Sequence, residues 1–245
     1  MGIKNILISQ PAPQAQSSPY TSIISKYGLN IDFHPFFKVE PVTLKEFRSQ
    51  KVHFLDYTAI VFTSKLAIDS FFKLSEELRI TVPETMKYFC QSEAIALYLQ
   101  KYIVYRKRKI FFGTGTVPSI LESIGSKHKD EKFLITCTDA LKPEVNKLFT
   151  KEKLNHGSAV LAKTVFSDLS KMDLHKYQMV VFYSPSDVRS LKENFPDFEQ
   201  KELLFAIYGP STAKAMKAEN LKVEIEAPTP ANPSIAEALN HYLAK

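Results

Sequence analysis

The sequence predicts an α/β protein of two similar domains, each a parallel sheet flanked by helices. Three observations carry this reading. Apolar runs of strand length alternate with helical patterns along the whole chain, as expected of parallel sheets built from βα units. Several runs end in small or hydroxylated residues just before a helical pattern, at Thr63-Ser64, Ser184-Pro185-Ser186 and Gly209-Pro210-Ser211-Thr212. The second half also echoes the first. Ala59-Ile60-Val61-Phe62-Thr63-Ser64 resembles Met179-Val180-Val181-Phe182-Tyr183-Ser184. Ala94-Ile95-Ala96 aligns with Ala213-Lys214-Ala215, and Pro118-Ser119-Ile120-Leu121-Glu122 with Pro233-Ser234-Ile235-Ala236-Glu237. The offsets are 120, 119 and 115 residues, from 62 to 182, 94 to 213 and 118 to 233. Matches in one order at nearly one offset point to duplicated α/β halves. Two such domains facing each other would leave a cleft between them, the usual place for a ligand.

Taken in order, residues 6–9 read as the first strand and 10–18 as a polar loop containing proline. Residues 19–27 follow as a helix that Gly28 ends. Residues 30–39 alternate loosely around Pro35 and read as one edge or linker strand, because proline cannot donate to a central ladder. A short helix covers 44–50, a buried strand 59–63 and a helix about 65–74. Then come a strand at 87–90, a helix at 93–101 and a strand at 110–112. The loop Gly113-Thr114-Gly115-Thr116 enters a helix over 118–124, with Pro118 suited to the first helical position. The loop lacks the Gly-Lys-Ser/Thr end of a P-loop and the spacing of a dinucleotide fingerprint. Strands at 132–136 and 160–166 bracket a helix at 142–151. A strand at 179–183 and a helix at 188–194 precede the apolar run 204–208, and a strand at 223–227 leads to a last helix at 234–243.

Composition bounds the function. The chain has 245 residues, 44% hydrophobic and 24% charged, enough for one large or two small globular domains. No run approaches the ~20 apolar residues of a membrane helix. Gly2 leads directly into Ile3-Lys4-Asn5-Ile6 with no signal-type core, which reads as a cytoplasmic protein. Cys90 and Cys137 lie in apolar, strand-like contexts and read as two buried thiols rather than a disulfide. The histidines are scattered, and there is no Cys-x-x-Cys, so a structural zinc site is not expected. A net charge of +6 and a pI near 9.1 favour an anionic partner. The basic run Arg106-Lys107-Arg108-Lys109 reads as a solvated turn before a strand. The rival reading, nucleic-acid binding, lacks any RNP, zinc-finger or helix-turn-helix signature.

The stretch from Leu204 to Met216 is the most informative. Its strand stops at Gly209-Pro210, and Ser211 or Thr212 can cap the helix that follows. Free amides and the positive end of the helix dipole would then form an anion cradle. The plainer alternative is an ordinary strand-to-helix connection. No Ser-His-Asp order, acidic metal cluster or phosphate loop is present. The polar candidates lie at strand ends: Ser9, Thr63, Ser64, Thr136, Thr138, Ser184, Ser186, Ser211 and Thr212. Hydroxyls and amides suit carboxylate or phosphate binding better than strong acid–base work.

Four stretches in order resemble the uroporphyrinogen-III synthase family. They are Asp56-Tyr57-Thr58-Ala59-Ile60-Val61-Phe62-Thr63-Ser64, Val180-Val181-Phe182-Tyr183-Ser184-Pro185-Ser186, Ile207-Tyr208-Gly209-Pro210-Ser211-Thr212-Ala213, and Ala227-Pro228-Thr229-Pro230 before the last helix. The resemblance implies cyclisation of hydroxymethylbilane to uroporphyrinogen III, with inversion of the last pyrrole ring and loss of water. It implies no cofactor and no metal, a small-molecule substrate rather than nucleic acid or membrane, and a monomer. It further implies one domain from residues 1–36 plus 167–245, a second from 37–166, and linker strands near 36–39 and 163–166.

Carried over by position, Thr63, Ser64, Ser184, Ser211 and Thr212 match binding residues. Lys65, Phe166, Ser186 and Gly209 complete the expected substrate-binding set. The chain departs from the family at three places. Cys90-Gln91-Ser92-Glu93 lacks the expected Gly and Thr, Lys65 replaces a Pro, and Phe166 stands where the family carries a tyrosine proposed as proton donor. The catalytic residue is therefore left open. The alternative reading is a diverged, non-catalytic module of the same fold that binds a tetrapyrrole or another polyanion.

Overall fold

Strands β1 (Asn5–Ile8), β2 (Asn30–Phe33), β9 (Met179–Phe182), β10 (Leu204–Tyr208) and β11 (Ile225–Ala227) form one sheet, in the order β11-β10-β9-β1-β2. A second sheet holds β3 (Phe37–Pro41), β4 (Ala59–Phe62), β5 (Lys87–Cys90), β6 (Ile110–Phe112), β7 (Phe133–Thr138) and β8 (His156–Phe166), in the order β3-β8-β7-β4-β5-β6. The helices are α1 (Pro19–Tyr27), α2 (Leu44–Ser49), α3 (Lys65–Glu77), α4 (Glu93–Tyr98), α5 (Val117–Ile124), α6 (Lys142–Lys151), α7 (Pro185–Asn194), α8 (Pro210–Ala218) and α9 (Ile235–Leu243). This computed structural model describes residues 2–14 and 18–244; of the loop expected over 10–18, residues 15–17 lie outside the described residues. The chain divides into two compact units, Met1–Lys38 with Val165–Lys245 and Val39–Thr164. It passes from one to the other within β3 and again within β8.

In the first unit every neighbouring pair of strands is parallel. Alternate side chains serve opposite faces, as the two-residue period of a strand requires. Ile6, Ile8, Met179 and Val181 pack with Tyr20 and Ile23 of α1 and Ile235 and Leu239 of α9. Leu7, Val180, Phe182, Phe205 and Ile207 pack the other way, on Val188 and Leu191 of α7 and Met216 of α8. Both faces are covered, so the strands read as unbroken apolar runs.

The second unit repeats this layering. Ile60, Phe62, Tyr88 and Leu134 face Phe71 of α3 and Ala96 of α4. Ala59, Val61, Phe89, Phe133 and Ile135 face Ile120 of α5 and Val145 and Phe149 of α6. Cys90 and Cys137 are buried, free thiols. Burial pushes them up to about 12 and about 11.

The spatial orders make the duplication explicit. Matching β9, β10 and β11 to β4, β5 and β6, as the offsets require, matches β1 and β2 to β7 and β8. Along the chain the repeats are β1-β2-β4-β5-β6 and β7-β8-β9-β10-β11, yet each sheet joins the first two strands of one repeat to the last three of the other. The repeats have exchanged their opening βαβ pieces.

Local readings are corrected at several points. Residues 30–39 are two strands in different sheets, not one. Pro35 interrupts the run where the backbone turns away from the first ladder. The helix expected at 188–194 begins at Pro185, because Ser184 caps it, and Pro118 stands second rather than first in α5 after the Thr116 cap. The helix expected over 93–101 tightens into a 3-10 turn at Leu99–Lys101. The basic run 106–109 is the surface turn the sequence suggests, with Arg106 3.7 Å from Glu84.

Candidate functional site

In open parallel sheets, ligands bind beyond the carboxyl ends of the strands, where the winding direction reverses. In the first unit this point lies between β1 and β9, and in the second between β7 and β4. The register makes Ser9, one step past the Ile8–Val181 pair, the counterpart of Thr136, one step past the Ile135–Val61 pair. Both expected groups of site residues therefore sit at equivalent edges.

In the second unit the hydroxyls at this edge are engaged by the fold. Thr63 donates to the Thr136 carbonyl (3.0 Å), and Thr136, fully buried, donates to the Val61 carbonyl (2.7 Å). These bonds tie β4 to β7 where the two strands separate. The Ser64 oxygen accepts from the Ala67 amide at 3.1 Å and caps α3. Lys65 begins that helix, exposed, with its ammonium 5.4 Å from the Tyr98 ring centre.

The first unit carries a different set. Ser184 caps α7, and the Asp187 carboxylate accepts from the Tyr183 and Ser184 amides at 2.9 and 2.8 Å. Asp187 is fully buried, standing where the second unit has Ala67. Burial raises its pKa, against the pull of those amides. The Ser9 hydroxyl lies beside this carboxyl but outside bonding geometry, leaving Ser9 Oγ and Asp187 Oδ1 buried without partners. Ser186 is buried and accepts from Arg189 at 3.0 Å.

The start of α8 differs again. Neither Ser211 nor Thr212 caps it, contrary to the sequence expectation: the N-cap is Gly209, which has no side chain to offer. Gly209 has φ +87° and ψ 150°, a backbone region that is essentially confined to glycine. Ser211 is exposed. Thr212 is fully buried and donates to the Tyr208 carbonyl at 2.8 Å. The first turn of α8 is thus left without a side-chain acceptor, while the helix it opens spans 9 residues. That is a ready anion seat.

The structure therefore places Thr63, Ser64 and Lys65 in the second unit, and Ser184, Ser186, Gly209, Ser211 and Thr212 on the adjoining β9 and β10 edges of the first. Phe166, half-buried, ends β8. Two neighbours escaped the sequence reading. Tyr183 and Tyr208 follow or close adjacent strands and stack with ring centres 5.8 Å apart. The signal was present as a tyrosine at the end of each of two successive apolar runs. Among the described residues, no cluster of His, Cys, Asp and Glu could hold a metal ion, and no helix is long and apolar enough to cross a membrane.

A family model described as uroporphyrinogen-III synthase HemD matches residues 18–237. Among solved structures, the chain is similar to a mutant uroporphyrinogen III synthase from the extremely thermophilic bacterium Thermus thermophilus, with TM-score 0.59 and 12% identity over 98% of this chain and 97% of that one. It is also similar to the uroporphyrinogen-III synthetase of Helicobacter pylori 26695, with TM-score 0.58 and 14% identity over 99% of each chain. At such identities these likenesses speak for the fold. None of the curated proteins compared matches the chain.

Proposed function

The chain belongs to the uroporphyrinogen-III synthase HemD family, a family of lyases, and we propose that it holds hydroxymethylbilane at the carboxyl edges of its two sheets. The observation that carries this reading is the uncapped start of α8 at Gly209. Beside it stand the α7 start at Ser184 and the exposed Ser211. Amides and hydroxyls in this arrangement accept carboxylates without carrying charge themselves, and a net charge of +6 favours a substrate rich in acetate and propionate groups. In the second unit the proposal takes Thr63, Ser64 and the exposed ammonium of Lys65 as further substrate contacts. A cytoplasmic location is part of the proposal and rests on the family.

The chemistry asks for positioning. Loss of the hydroxyl, as water once protonated, leaves a cation delocalised over the pyrrole. Product choice then depends on how the flexible chain is folded when the ring closes, which is an entropic and geometric task. Groups that bind carboxylates at fixed points serve that task.

One observation favours a second reading. Phe166 has no proton to give, which suits a diverged tetrapyrrole-binding module. Incubation with hydroxymethylbilane, oxidation to porphyrins and separation of the isomers decide between them. Predominant isomer III supports the synthase; isomer I alone, at the rate of the uncatalysed reaction, removes it.

A further inference from the structure

The two carboxyl edges are equivalent by repeat, yet their last side chains differ in kind. By register, Tyr183 stands where the second unit has Thr63, and Tyr208 where it has Gln91. Tyr208 closes β10 and is 37% exposed, among the large apolar side chains left in contact with solvent. Its other neighbour is the Tyr183 ring, inclined by 28°. Tyr183 is held from behind: its hydroxyl lies 2.6 Å from that of Tyr20 on α1, which in turn meets Phe33 of β2 edge-on at 5.5 Å. A line of rings thus crosses the edge of one sheet from β10 to β2, and the second sheet has no such line at the matching ends of β4 and β5.

The arrangement suits a planar, electron-rich ring that carries carboxylates. Tyr208 directly precedes Gly209, the N-cap of α8. The Gly209 amide is bonded to the Ala227 carbonyl and Pro210 has none, so the open amides begin at Ser211, and a ring stacked on Tyr208 can direct a side-chain carboxylate toward them. Burial raises the Tyr183 and Tyr20 phenols, so both stay neutral and add no repulsion toward a polyanion. We propose that Tyr208, backed by Tyr183, seats one pyrrole ring of the linear tetrapyrrole and thereby helps determine which isomer forms. This inference rests on the reading above and deepens it. Aromatic contacts of this kind correspond to about two- to tenfold in affinity.

The test compares wild type with Tyr208→Leu and Tyr208→Phe. Two readouts are used: kcat/KM with the isomer ratio, and titration with uroporphyrin III followed by tyrosine emission, which a chain without tryptophan permits. Tyr208→Leu should lower kcat/KM about three- to tenfold, raise the share of isomer I and weaken uroporphyrin binding by a similar factor. Tyr208→Phe keeps the ring and should stay within about twofold. Wild-type values in the leucine variant overturn the inference, as does an equal loss in the phenylalanine variant. If wild type makes no isomer III, the synthase reading fails by itself. The titration then decides the ring seat: a weaker leucine variant upholds it, and equal binding, or no binding by wild type, ends it.

Discussion

The hydroxyl of Tyr20 lies 2.6 Å from that of Tyr183, although 163 positions separate them in the chain. The bond joins α1, from the opening βαβ piece, to the end of β9, from the closing repeat. It exists because the two repeats exchange those pieces. Tyr20→Phe should leave the ring packed and remove one oxygen, stranding a partly buried phenol. The expected loss is about 1 kcal/mol, read as a lower urea midpoint with an unchanged slope. An unmoved midpoint would show that the bond adds nothing.

Thr212→Val tests what a buried hydroxyl does. Its oxygen donates to the Tyr208 carbonyl inside the fold, so its loss should cost stability, about 0.5–1.5 kcal/mol. KM for hydroxymethylbilane should stay within about twofold, since the amides of α8 remain. A stable variant with a KM raised about tenfold would return the hydroxyl to the substrate.

Phe166 ends β8, half-buried. If a tyrosine at this point donated an essential proton, restoring it should raise turnover by the ~10²–10⁴-fold typical of general acids. We expect Phe166→Tyr to change turnover less than about tenfold. Water or a substrate carboxyl would protonate the leaving hydroxyl, and the ring would serve to pack against a pyrrole face. A hundredfold rise, compared at several pH values, would restore the proton-donor role.

The Glu46–Lys163 pair is exposed and screened by water, so its share of the acid limb of stability should be small but of definite sign. The Lys163 ammonium beside it, followed by the Thr43 amide and hydroxyl, draws its carboxyl from 4.5 down to about 2. A carboxylate depressed in the folded state contributes stability that is complete above the unfolded value and is lost as pH falls through the folded one. Its contribution therefore fades from about pH 4.5 to about pH 2. Glu46→Gln should flatten the fall of Tm across that window. An unchanged slope would mean that other carboxylates govern it.

The sequence by itself determined the local grammar of this protein. Apolar runs such as 59–62 and 179–182 must be buried strands, because no neighbouring polar residue offers them a wet face. The start of α3 just after Ser64 was legible because that change of backbone conformation is set by adjacent residues, and the repeat offset tied β4 to β9. The caps at Ser184 and Gly209 emerged only from the folded backbone. Sheet membership was decided only in three dimensions. β1 pairs with β9 and β7 with β4, a choice between surfaces of nearly equal apolar character that no local pattern encodes. The same holds at the site. The phase of α8 turns the Thr212 hydroxyl inward and leaves Ser211 outside, and the exchange of βαβ pieces carries Tyr20 to Tyr183. Side-chain direction and long-range pairing depend on which surfaces the folded chain can close together, and that information is spread over the whole sequence rather than held in any one stretch of it.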